Sequence, residues 1–324
     1  MLMKIFKRLL AASTLAAVLF ASNQANATFT QMISFGDSFS DTGNRYIASN
    51  CPSSTCQVPS PPFFNGRESD GPVYNELLAG MLGITAPTPS LNGGTNYSIS
   101  GARVLQDTEW LGVQKPSIQS QVNQYLSDNN GVADPNAIFT IAGGANDLQA
   151  IITGERTVAD LQAAAAGFVS ITQQLVDAGA NYIAAINLPD IGMAPIAEGN
   201  EFTASYLTAV SFNMLMEPGL NAISQVNLLD VFAALNSAAA DPGAYGFTNV
   251  EDNCQLDIAA GITNDCSGYV FMDEWHPSAS AHQFLADNLY ADAALASASA
   301  VPIPAALPLF ASAIAGLGIF RRKA

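Results

Sequence analysis

Apolar and polar positions alternate over residues 28–35 (TFTQMISF), which predicts a short strand running into the turn Gly36-Asp37-Ser38. Residues 137–142 (AIFTIA) and 182–187 (YIAAIN) read as buried strands, the first ending in Gly143-Gly144 and the second closed by Pro189. Residues 95–99 and 226–231 predict two more. Helical spacing separates these segments. Residues 73–82 predict a short helix, and residues 116–126 a helix opened by Pro116, with Ile118, Val122 and Leu126 on one side. Residues 158–178 predict a long Ala-rich helix and residues 202–223 a mostly helical stretch. Residues 278–294 predict a last helix with Ala281, Phe284, Leu285 and Leu289 on one face. Strands alternating with helices predict an α/β fold, a three-layer α/β/α sandwich around a central, mainly parallel sheet. In such folds ligands bind at the carboxyl ends of the strands.

The chain has 324 residues, 49% hydrophobic and 12% charged. That is ample material for a large core, and it excludes intrinsic disorder. Charge is distributed unevenly. Lys4, Lys7 and Arg8 lie at the start, and Arg321, Arg322 and Lys323 at the end. The middle keeps only Arg45, Arg67, Arg103, Lys115 and Arg156 against all 27 acids, a net charge of −22. A nucleic-acid partner is excluded, because no basic footprint exists.

The two ends read as addresses. A basic start, an apolar stretch over 9–20 and a small-x-small site at Ala25-Asn26-Ala27 predict a signal peptide over 1–27, cleaved before Thr28. The alternative is an N-terminal anchor, for which twelve apolar residues are short. Residues 305–320 form an apolar run broken only by Ser312 and followed by the basic tail. With Val301-Pro302-Ile303-Pro304-Ala305 before it, this end resembles the VPLPA-like variant of the PEP-CTERM sorting signal. The resemblance implies export in a Gram-negative bacterium, to the cell surface or medium, with transient inner-membrane anchoring by a transmembrane helix and processing by an exosortase-type partner. A plain C-terminal anchor or a buried hairpin helix is the alternative. Residues 296–324 are then linker plus sorting segment.

Four cysteines allow three pairings, of which two local bridges, Cys51–Cys56 and Cys254–Cys266, are the economical one. Export favours disulfides. A zinc site on all four thiolates is the rival, against which the second spacing is too long.

Four strand-end segments carry candidate chemistry. In GDSFSDTGN, Ser38 sits just past a strand in a tight turn. Asp41-Thr42-Gly43 also matches an aspartic-protease triplet, but that chemistry needs a second Asp-Thr/Ser-Gly, which the chain lacks. In NYSISGA, Gly101 follows a strand, and its N–H is a candidate oxyanion donor. In GGAND, Asn146 supplies a neutral amide suited to developing negative charge. In DEWHP, Asp273 lies three residues before His276, a spacing that lets the carboxylate hold Nδ1 and leave Nε2 as general base. The second histidine, His282, has Ala279 at the matching position and reads as a helix-surface residue.

In this order the four blocks resemble the signature of the SGNH hydrolases, also called GDSL esterases and lipases, and most of all their lecithinase/haemolysin-like branch. The resemblance covers roughly residues 30–295 and implies a flavodoxin-like domain over 28–295. It implies Ser38 as nucleophile, His276 as base, Asp273 as its orienter, and an oxyanion hole from the Ser38 N–H, the Gly101 N–H and the Asn146 side chain. Ser100 before Gly101 and Ala145 before Asn146 depart from the commoner Gly and Asn. No metal or cofactor is implied. One site built from residues 38 and 276 requires one domain. The expected activity is hydrolysis of a lipid, a short acyl ester or an acylated glycan by a monomer. An acyltransferase, a polysaccharide deacetylase and a non-catalytic surface-binding protein are alternatives. The expected pocket-lining loops are 49–70, 105–115 and 191–202, with Phe63, Phe64 and Trp110 as candidate acyl contacts.

Overall fold

Four parallel strands form the centre of the structure, a computed structural model that describes residues 29–50 and 63–299. In chain order, β1 (Gln31–Phe35) is followed by the short α1 (Asn44–Ala48) and by α2 (Tyr74–Met81). A hairpin of β2 (Thr108–Trp110) and β3 (Val113–Lys115) precedes α3 (Ile118–Asp128) and β4 (Ala137–Ala142). Next come α4 (Ala145–Ile152), α5 (Val158–Asp177), β5 (Ile183–Ile186), α6 (Glu201–Thr208) and a π-helical turn at Ala209–Asn213. The chain continues through α7 (Met214–Asn221), β6 (Val226–Leu229), α8 (Val231–Ala240), α9 (Cys254–Ala259) and α10 (Ala279–Ser299). Phe29–Ala294 form one compact unit. The expected signal segment, Cys51, Cys56 and the C-terminal sorting segment lie outside the described residues. Among the described residues no helix is long and apolar enough to cross a membrane.

The sheet order is β1-β4-β5-β6, all parallel, with Gln31 opposite Ala137 and Ile183 opposite Val226. Alternation assigns the two faces. Ile33, Phe35, Phe139, Ile141, Ile183 and Ala185 point into a core shared with α3, α5 and the π-helical turn, through Ile118, Val122, Phe168, Ile171 and Phe212. The opposite face carries Met32, Ile138 and a buried polar pair, Thr140 donating to Ser34 at 2.8 Å. Tyr74 of α2 also lies there, its hydroxyl 2.9 Å from Ser40 Oγ. Helices on both faces make the three-layer sandwich that the element order predicts.

Local chemistry sets the boundaries. Ser117 caps α3 by accepting from the Ser120 N–H, so the helix starts at Ile118, not at Pro116. Thr157 and Asp160 form a capping box that opens α5. The strand expected over 95–99 runs beside β1 but forms only isolated bridges, from Asn96 to Ser34 on one side and to Pro89 on the other. The Asn44 amide donates to both Asn96 O and Ser98 O, so the pairing with 88–90 stops at Asn96.

His282 is a correction. It is fully buried on α10, and its Nδ1 accepts from the Tyr74 N–H at 3.3 Å, which ties α10 to α2. It lies three and seven residues before the buried Leu285 and Leu289, so it shares their stripe. Burial, and after it the charge of His276, lowers the imidazole to about 3. The unfolded chain takes up a proton below the ordinary value of 6.5 that the folded chain refuses. This group therefore stabilises the fold above pH 6.5, and that contribution is lost as pH falls from 6.5 toward 3. The thermal midpoint of His282→Gln, followed by circular dichroism between pH 7 and 3, is expected to fall less steeply than that of wild type. Parallel curves would reject this role.

Candidate active site

Ser38 sits in the turn after β1, and His276 in the loop that leads into α10. Ser38 is 5% exposed, and its Oγ lies 3.1 Å from His276 Nε2. On the other side of the ring, Nδ1 lies 2.8 Å from Asp273 Oδ2. Asp273 Oδ1 accepts from the N–H groups of Trp275 at 2.7 Å and His276 at 2.6 Å, a local turn that aims the carboxylate at the ring. Burial by itself would raise the Asp273 carboxyl, but the bond and charge of His276 and these N–H groups hold it below the usual range. The fold thus brings together three residues separated by up to 238 positions.

The expected oxyanion donors differ in how far they are already engaged. Among the described residues the N–H groups of Ser38 and Gly101 donate to no protein acceptor. The Asn146 amide is engaged: Nδ2 donates to Asp37 Oδ2 at 3.2 Å and to Ala102 O at 3.1 Å. Asp37 is buried beside it, and burial pushes its carboxyl up to about 6. Asn146 is carried by α4, whose entry needs Gly144 at φ 113°. A Cβ there would lie 2.3 Å from Phe212, so the turn is fixed by backbone and by packing.

A residue without a signature in the sequence also reaches His276. Glu68 Oε2 lies 2.9 Å from His276 Nε2. Burial would raise its carboxyl, but His276, followed by Arg45, holds it below the usual range. For His276 itself, burial acts downward. The charge of Glu68 and the contacts of Asp273 outweigh it and push the imidazole up to about 10.

The pattern of a family profile, GDSL-like Lipase/Acylhydrolase, matches residues 32–289. This chain belongs to that family. Among its GDSL relatives is Esterase EstA of Pseudomonas aeruginosa, 29% identical over 330 residues that cover 88% of this chain and 50% of EstA. Another is the phosphatidylcholine-sterol acyltransferase of Aeromonas hydrophila, 26% identical over 247 residues, covering 74% of this chain and 70% of that one. The chain spans about half the length of EstA. Among solved structures, an acetyl xylan esterase, AlAXEase, aligns at a TM-score of 0.43 and 11% identity, covering 81% of this chain and 98% of that one.

In this GDSL protein an apolar cavity of about 90 Å³ opens beside Ser38 and His276. Ile186, Leu188, Leu235, Phe271 and Phe284 are among its walls. Its position corrects the expected pocket. Among the described residues of the three loops named from the sequence, those of 191–202 alone border it, through Ile191 and Ala194. Phe63 packs against the Cys254–Cys266 cluster, Phe64 lies by Arg67, and Trp110 lies under Arg45. The walls come instead from strand ends, α8 and α10, which repeat no motif.

Two rival chemistries lose their residues. Cys254 and Cys266 are joined at 2.01 Å, so their thiolates are not available to zinc. Asp41 of the protease-like triplet is fully buried and turned away from the site. It accepts from Gly43, Asn44 and Arg45 N–H and from both N–H and Oγ of Ser100.

Proposed function

We propose that this protein is an exported carboxylic-ester hydrolase working through an acyl-enzyme on Ser38. The observation that carries the reading is the Ser38–His276–Asp273 chain of contacts, at 3.1 and 2.8 Å. His276 Nε2 takes the hydroxyl proton as Ser38 Oγ attacks the ester carbonyl. Asp273 holds the tautomer and steadies the imidazolium. The N–H groups of Ser38 and Gly101 receive the oxyanion, joined by the Asn146 amide as it gives up one of its two acceptors. His276 then protonates the departing alcohol. Water, activated by the same nitrogen, releases the acyl group.

The cavity selects the acyl part. A water needs roughly 10–15 Å³ by the same measure. About 90 Å³ of apolar space therefore accepts several methylene-sized groups. Its polar members Asn187 and Asp190 are already hydrogen-bonded to other protein groups, so the cavity favours an alkyl chain over a bare acetyl group. Export is supported by the basic-apolar start of the sequence and by the Cys254–Cys266 bridge. Processing of the C-terminal segment by an exosortase-type partner belongs to the same proposal.

The test is hydrolysis of p-nitrophenyl esters from acetyl to palmitoyl, with a fluorophosphonate adduct mapped by mass spectrometry. The expected adduct is on Ser38, with an optimum beyond acetyl. A folded protein with no adduct at Ser38 would sink the reading. Ala281→Phe, which intrudes on the cavity wall, is expected to move the optimum to shorter chains. An unchanged chain-length profile would place the acyl group elsewhere.

A further inference from the structure

His276 Nε2 has two oxygens competing for it, Ser38 Oγ at 3.1 Å and Glu68 Oε2 at 2.9 Å. A neutral ring whose Nδ1–H faces Asp273 offers a lone pair at Nε2. That lone pair accepts from the Ser38 hydroxyl and repels a carboxylate. An imidazolium donates Nε2–H to Glu68, and in that form it has no lone pair for the Ser38 proton. The two contacts therefore belong to two states of the base.

We propose, building on the serine-hydrolase reading above, that Glu68 is a positioning residue that holds His276 as an imidazolium at rest, and that the base is freed when the ester's alcohol portion displaces this carboxylate from Nε2. As Glu68 leaves, the ring loses its second counter-charge and releases the Nε2 proton to water. The neutral ring then accepts from Ser38. Glu68 occupies the side of Nε2 where the leaving oxygen and the hydrolytic water must be served, so the carboxylate and the substrate exclude one another.

The structure offers the displaced carboxylate a second seat. Lys115 of β3 packs its Nζ against the Gly101 turn, 2.7 Å from where a Cβ on Gly101 would stand. Among the described residues it makes no ion pair within 4.0 Å. Arg45 of α1 is nearly buried, with its Nε unpartnered and one bond to Ser100 O at 3.3 Å. Both cations act electrostatically on Glu68. A carboxylate turning from His276 toward them stays compensated, which a buried charge requires. The loop itself need not move. Arg67 grips Glu76 of α2 by two bonds, at 2.6 and 3.1 Å, and Asp70 accepts from the Ala279 N–H of α10 at 2.7 Å. Only the Glu68 side chain turns.

The titratable and charged groups around His276 are Asp273 on its own loop, Glu68 opposite, Asp37 after β1 and the neutral His282 on α10, with Arg45 and Lys115 behind Glu68. Removing the Glu68 charge lowers the imidazole, because one of its two carboxylate partners is gone. In Glu68→Gln the acid limb of the kcat/KM profile for p-nitrophenyl butyrate is expected to move down by about one pH unit or more. At pH 7 that is about a tenfold gain or more in kcat/KM. Proton NMR supplies a readout that needs no turnover. Wild type at pH 8 is expected to show both low-field ring N–H protons of His276, and Glu68→Gln to lose the Nε2–H at a pH about one unit or more below that of wild type. An acid limb and ring signals unchanged in Glu68→Gln would overturn the proposal. So would a wild-type His276 that titrates near 6.5, a result independent of whether the variant folds. A protein inactive on every ester but with a doubly protonated ring at pH 8 would instead count against the hydrolase reading while supporting the masking contact.

Discussion

Ser38→Ala is expected to lose about 10⁴-fold or more in kcat on any ester the wild type hydrolyses, with its thermal midpoint nearly unchanged. The asymmetry follows from what Ser38 touches. Its side chain has one polar contact, to His276 Nε2 at 3.1 Å, so its removal strands no obligate hydrogen-bond network. On the acyl-enzyme mechanism proposed above, the lost oxygen is nonetheless the atom that bonds the carbonyl carbon. What remains is the group of donors around the carbonyl oxygen, which accelerate attack by water only weakly. A residual rate within about tenfold of wild type, measured on protein purified away from host esterases, would assign the nucleophile to another residue. Unfolding of the variant would show that the turn after β1 depends on the hydroxyl.

Asp41→Ala is expected to have the opposite profile, with the loss in stability. Its carboxylate accepts five hydrogen bonds, from the N–H groups of Gly43, Asn44, Arg45 and Ser100 and from Ser100 Oγ, at 2.6–3.2 Å. Alanine leaves all these donors without an acceptor in a dry environment, at about 1–3 kcal/mol for each buried group left unsatisfied. Even partial relaxation leaves a loss comparable to the total stability of a typical domain, about 5–15 kcal/mol. Urea unfolding followed by circular dichroism is the measurement. An unfolding free energy within about 1 kcal/mol of wild type would mean that water replaces the carboxylate. Because Asp41 ties the start of α1 to Ser100, any folded Asp41 variant is also expected to misplace the Gly101 N–H that follows.

The parts of the site readable from the chain are those whose chemistry is local. Asp273 and His276 are three residues apart, and their geometry is a turn. Ser38 follows a strand within one turn, and Cys254 and Cys266 close a short loop of their own. The near-continuous apolar runs over 137–142 and 182–187 report strands because both faces of the sheet are covered. What stayed hidden arises from packing. Glu68, Lys115 and Arg45 come from three separate elements, and no spacing connects them. The apolar cavity is walled by strand ends and by one face each of α8 and α10, so its residues are scattered from Asp37 to Leu285. His282 was legible in principle. Its distances of three and seven from Leu285 and Leu289 place it on the buried stripe, a stronger sign than its lack of an acidic partner three residues before it.

The separation of Ser38 from His276 by 238 residues has a consequence for the life of the chain. Ribosomes and translocation channels deliver a polypeptide from its amino end, and domains fold as units once enough of the chain has emerged. β1 waits for β4 to be paired, and the turn bearing Ser38 waits far longer for the loop before α10. A half-delivered molecule thus holds Ser38 without His276 beside it. On the hydrolase reading proposed above, the site is incomplete until the last helix has docked, so the order of synthesis alone would act as a safety catch.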